Sequence, residues 1–61
     1  MNEIITAKNT LLDAQTYCGR NIHKVVNMRL SLLGFIEMYE EKQQSIDEII
    51  RLTNTLRQLI K

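Results

Sequence analysis

The side chains best suited to chemistry are Cys18, His23 and several glutamates, and their spacing argues against a metal or catalytic site. Cys18 and His23 are five residues apart, so on a helix they point in directions too different to share a metal ion. The chain has no second cysteine or histidine. We therefore expect Cys18 to be a small buried hydrophobe, His23 to face solvent, and the chain to bind no metal or cofactor.

The glutamates Glu37, Glu40 and Glu41 lie along one face of a predicted helix. Paired carboxylates need burial or a cleft for acid–base work or for holding a divalent ion, and a small helical hairpin scarcely provides either. The sequence has no glycine-rich phosphate loop, and no hydroxyl residue has a neighbouring base. We predict that the chain is not an enzyme and has no small-molecule substrate.

Apolar residues recur with a heptad period along nearly the whole chain, which is typical of helices that pack on other helices. Asn21, Lys42 and Thr53 are polar residues at these positions. One core position is occupied by Ile4, Leu11, Cys18, Val25, Leu32, Tyr39, Ile46 and Ile60. The other is occupied by Ala7, Ala14, Met28, Phe35, Ile49 and Leu56.

Helix boundaries are weakly marked, because the chain has no proline and only two isolated glycines. The best internal start signal is Ser45 followed by Glu48, a capping box after the polar segment 40–44. We place a turn at 42–45. The predicted fold is all-α: an antiparallel hairpin of a long helix, about 3–41, and a short helix, about 46–60, that assembles into an oligomeric helical bundle.

A second possible break lies at residues 19–21, where Gly19 could end one helix and Asn21 could cap the next. Basic residues Arg20 and Lys24 would then crowd the positive end of the new helix, and the heptad pattern crosses this point without a phase change. We therefore favour a continuous helix. The alternative is a monomeric three-helix bundle with a break at 19–21.

A hairpin would leave the narrow N-terminal stripe of apolar residues uncovered, which predicts contact with another polypeptide. Tyr17, Leu30, Met38 and Leu52 lie off the heptad positions, and such flanking residues also favour a bundle of more than two helices. We expect a homo-oligomer and a protein partner. The predicted interface consists of Ile4, Ile5, Ala7, Leu11, Leu12, Ala14 and Cys18.

The length and composition of the chain limit its number of domains, the size of its core and its location. A chain of 61 residues forms one domain, 1–61, and buries only about 60% of its unfolded surface, so its core is marginal. The net charge of +1 gives no general attraction to nucleic acid. The single cysteine and the lack of a secretory leader predict a cytoplasmic location, and no segment is apolar enough to span a membrane.

These observations predict a small non-enzymatic helical interaction protein, such as a regulator, inhibitor, adaptor or assembly chaperone. It would act by packing helices with itself and with a protein partner. The alternative is a small nucleic-acid-binding regulator that uses a basic face formed by Arg20, Lys24 and Arg29.

Overall fold

Three α-helices form the structure, a computed structural model that describes residues 2–41 and 46–61. Helix α1 spans Asn2–Gln15, α2 spans Ile22–Glu40 and α3 spans Ile46–Leu59. Within the described ranges there is no β-strand, and each helix packs against both others. The predicted all-α class is confirmed, as a three-helix bundle.

The predicted single helix over 3–41 is wrong, because the chain leaves the helix after Gln15 and resumes it at Ile22. The alternative break at 19–21 falls inside this connection, which already starts at residue 16. The reason is burial: folding back places Ala7 and Ala14 in the core of the same chain. A continuous helix would leave that apolar surface in water, which a chain with such a small core can ill tolerate.

The connection between α1 and α2 satisfies several of its own backbone groups. The backbone N–H of Tyr17 donates to the carbonyl of Ala14 (3.1 Å), and that of Ile22 donates to Gly19 (3.2 Å). The backbone N–H of Asn21 donates to the Tyr17 hydroxyl at 3.2 Å. Asn21 occupies the N-cap position of α2, but its side chain makes no capping hydrogen bond. A tyrosine hydroxyl therefore fixes the break, together with these turn hydrogen bonds.

The Tyr17 ring lies against Gly19. A Cβ atom built on Gly19 would overlap the Tyr17 hydroxyl and ring carbons. The sequence suggested Gly19 as a helix terminator, whereas the structure uses it to make room for an aromatic side chain. Gly34, in the middle of α2, has nothing within 4 Å of the corresponding position. Of the two glycines, only Gly19 occupies a position where a methyl group would displace another side chain.

The core lies between the three helices, and its residues follow the heptad pattern of the sequence. Most fully buried apolar residues occupy predicted heptad positions; Ile36 and Leu52 are the exceptions. The small side chains of Ala7 and Ala14 let α1 approach the other two helices closely. The buried apolar residues are Ala7, Ala14, Val25, Leu32, Ile36, Ile49, Leu52 and Leu56.

Charges at the helix ends favour α1 and α3 but not α2. Glu3 lies in the first turn of α1, and a backbone hydrogen bond there lowers its pKa. Helix α3 has acidic residues in its first turn and Arg57 in its last. Helix α2 has no acidic residue in its first turn and carries the exposed Lys24 near that end. Basic residues at the positive end of the helix dipole are unfavourable, which was the argument against a break at 19–21. The free energy gained by burying α1 outweighs this cost.

The short helix predicted over 46–60 is confirmed as α3, Ile46–Leu59. An exposed ion pair joins its first and second turns: Arg51 Nη2 lies 2.9 Å from Glu48 Oε2, and this contact raises the pKa of Arg51. The predicted turn at 42–45, with the Ser45 cap and Lys42, lies outside the described residues.

The two glycines provide a matched test of the connection. We expect Gly19→Ala to lower the free energy of unfolding by about 1–3 kcal/mol, because the new methyl group displaces the Tyr17 ring. Gly34→Ala should raise it by about 0.5–1 kcal/mol, because alanine favours the helix and meets no neighbour. Urea denaturation followed by circular dichroism measures both. Stabilisation by Gly19→Ala would contradict the described connection.

The buried threonines provide a second matched pair. Thr53 is buried, and its hydroxyl finds no hydrogen-bond partner among the described residues, whereas the Thr10 hydroxyl donates to the carbonyl of Thr6 at 2.8 Å. We expect Thr53→Val to stabilise the fold by about 1 kcal/mol, because it removes an unsatisfied polar group. Thr10→Val should be nearly neutral. Thermal denaturation checks this, and an equal gain at both sites would show that added apolar burial is the cause.

Candidate protein-interaction surface

The most exposed large apolar side chains lie on α1 and α2. Leu12 is 63% exposed and Leu30 is 65% exposed, with Leu33 at 45% and Val26 at 39%. Together with Leu11, Gln15 and Arg29 they line a depression of about 290 Å³ between the two helices, which we call the α1–α2 groove. Apolar patches of this kind on a soluble chain mark sites of interaction with other molecules.

Helix geometry explains why α2 presents leucines to solvent. Residues of an α-helix follow one another at about 100°, so Val26, Leu30 and Leu33 fall on one side of α2. These three residues form the α2 ridge. The core residues Val25 and Leu32 immediately precede two of them and lie on an adjacent side. Because α2 is apolar over more of its circumference than α1 and α3 cover, the α2 ridge stays exposed.

Helix α1 contributes the other side of the groove. Leu12 lies one residue after Leu11, which is partly buried against the core, and Ile5 lies two turns before Leu12 on the same side of the helix. Ile5 is also exposed. The apolar surface of α1 is therefore divided between a core side and a solvent-facing side next to the α2 ridge.

Charged residues on α1 and α2 differ in whether they form ion pairs. Lys8 Nζ lies 2.9 Å from Glu40 Oε2, which ties α1 to the end of α2. Both side chains are half exposed, so this pair stabilises the fold by less than about 1 kcal/mol. Arg29 is half buried in the groove lining, and Glu37 is exposed one turn beyond Leu33. Neither forms an ion pair within the described residues.

The structure divides the interface predicted from the sequence into three parts. Ala7 and Ala14 are buried in the core of their own chain, so they are not available to another molecule in this fold. Ile4 and Leu11 are partly buried against that core. Of the predicted set, the exposed apolar residues of α1 are Ile5 and Leu12.

The prediction that Cys18 is buried is wrong, because Cys18 is an exposed free thiol. It lies in the connection between α1 and α2, where the helical spacing that would have directed it to the core no longer applies. His23 is exposed, as expected. The interface prediction also omitted Val26, Leu30 and Leu33, although the breadth of the apolar surface in this segment was a signal for them.

The basic residues proposed for nucleic-acid contact do not share one face. Arg20 lies in the connection, and Lys24 and Arg29 are five positions apart on α2, or about 140° around the helix. Lys24 is exposed away from the groove, while Arg29 lines it. The nucleic-acid alternative stays a prediction, and this geometry does not favour it.

The rest of the described structure is less suited to binding a partner helix or a metal ion. Another depression, of about 550 Å³, lies between α1 and α3 and is lined mostly by exposed polar side chains such as Asp13, Asn54 and Arg57. Among the described residues, no three His, Cys, Asp or Glu side chains are grouped so that they could hold a metal ion. The three described helices include none that combines the length and apolar character required to cross a membrane.

Comparisons with known protein families, with curated protein sequences and with solved structures gave no match to this chain. The α1–α2 groove must therefore be interpreted from its own residues.

Proposed function

We propose that this chain is a small non-enzymatic helical interaction protein: a regulator, inhibitor, adaptor or assembly chaperone. Its working surface is the α1–α2 groove, into which a helix of another polypeptide chain packs. The observation that carries the proposal is the exposure of Leu12, Leu30 and Leu33 side by side in a folded chain.

The α2 ridge has the spacing of a helix-packing surface. Val26, Leu30 and Leu33 are separated by four and three residues, so they form one side of α2 against which an amphipathic helix can pack. Burial of apolar surface contributes about 25 cal/mol for each Å² removed from water. Covering several exposed leucines therefore provides a driving force that no exposed polar surface of this chain offers.

The proposal includes no catalytic role, because the residues that could act as acid or base are exposed. Glu37, Glu40 and Glu41 are all exposed, so nothing in their surroundings prepares them for acid–base work. His23 is exposed as well, on a helix surface rather than in a cleft. A chain of this kind acts by occupying a surface on its partner.

The α2 ridge can be tested with a photo-reactive amino acid in place of Gln15, which lines the groove. In cells that produce the protein, we expect one discrete cross-linked product. Leu30→Asp should abolish it, because a carboxylate in the groove would have to lose its hydration when the partner binds. Leu30 is mostly exposed in the free chain, so the helix content measured by circular dichroism should hardly change.

Met38→Asp is the matched control. Met38 is 42% exposed on the same helix but does not line the groove. The cross-linked product should persist in this variant. If no discrete product forms, or if Leu30→Asp leaves it unchanged, the α1–α2 groove is not the working surface and the proposed function fails.

A further inference from the structure

We propose that the α1–α2 groove binds a second copy of this chain, with the two α2 helices antiparallel across a twofold axis at Leu33. In this arrangement Arg29 of each copy faces Glu37 of the other. The inference rests on the proposed function and names the partner of the same surface.

The spacing of the α2 residues sets this register. Val26, Leu30, Leu33 and Glu37 follow one another at intervals of three or four residues, so they lie on one side of the helix. Arg29 borders that side and lines the groove. In an antiparallel pair with twofold symmetry, residues equally far before and after the axis lie opposite each other. Arg29 and Glu37 are each one turn from Leu33, in opposite directions.

The charges favour this pairing over other arrangements. Arg29 is half buried in a groove lined mostly by apolar side chains, and it has no carboxylate partner within the described residues. Glu37 is likewise without an ion pair there. The antiparallel register forms two Arg29–Glu37 contacts. A parallel pairing of the same helices would place like charges together, which is unfavourable in a partly desolvated interface.

The surface is also self-complementary, which is the requirement for a twofold interface. In such an interface one patch must supply both members of every contact. The groove and its rim contain apolar anchors and both signs of charge within about 17 Å of α2, the length from Val26 to Glu37. A heterologous partner would have to supply a carboxylate for Arg29 and a cation for Glu37, whereas a second copy already has both.

Helix α1 extends the contact. Leu12 lies across the groove from Leu30, and Ile5 continues its exposed side of α1. Two α1–α2 layers face to face would form a four-helix interface of the kind that packs at about 20°. A standard interface buries about 800 Å² on each partner. The accessible surface is 4467 Å², so a contact of this size would cover less than a fifth of it.

Charge reversal tests the register directly. Sedimentation equilibrium of the purified full chain should show a monomer–dimer equilibrium. Arg29→Glu and Glu37→Arg should each weaken the dimer by about tenfold or more, because each places like charges opposite one another twice. An equimolar mixture of the two variants should restore association as a heterodimer. The double variant R29E/E37R should restore the homodimer. Lys24→Glu, a reversal outside the groove, should leave the dimer unchanged.

The outcomes separate this inference from the proposed function. Glu37 is exposed, so Glu37→Arg should fold even if a half-buried Arg29→Glu does not, and circular dichroism checks both. A dimer indifferent to both reversals would overturn the register while leaving the groove as the surface. A monomeric wild-type chain with a Leu30-dependent cross-link to a different polypeptide would overturn the second copy as partner. In both cases the proposed function would stand.

Discussion

The structure depends on how helix α2 is covered. Its apolar residues occupy more than one side, because Val25 and Leu32 belong to the core while Val26, Leu30 and Leu33 lie next to them around the helix. Two neighbouring helices in a chain of 61 residues cover only part of such a surface. The chain folds α1 and α3 onto the core side, and the remaining side becomes the α1–α2 groove. The stability of the fold and the proposed interaction therefore both depend on α2.

The position of α1 follows from small side chains and one aromatic ring. Ala7 and Ala14 allow close packing, and the Tyr17 ring over Gly19 holds the reversal of the chain that brings them there. With this reversal, α2 begins without an acidic residue or a capping side chain, which is an unfavourable start for a helix. Local preference in the sequence opposed this break, and the free energy of burying α1 decided it. Such conflicts are usual where tertiary packing overrides propensity.

The proposed function depends on the chemistry of one surface. The groove is lined by exposed leucines and the half-buried Arg29, and the exposed Glu37 lies one turn beyond Leu33. Interfaces commonly combine an apolar centre with a polar rim in this way. The acidic residues that could have suggested catalysis, Glu37, Glu40 and Glu41, are all exposed to solvent. A small interaction protein can work with a marginal core, because binding its partner adds stability to the folded state.

The sequence by itself determined the all-α class, the short helix over 46–60 and most of the core, because heptad spacing records which side of a helix is apolar. Val25, Leu32, Ile49 and Leu56 are buried as that spacing predicts. The sequence could not determine that the long helix breaks, that Cys18 is exposed, or which apolar side of α2 faces solvent. Those outcomes depend on competition between helix continuity and long-range burial, and only the tertiary structure resolves that competition.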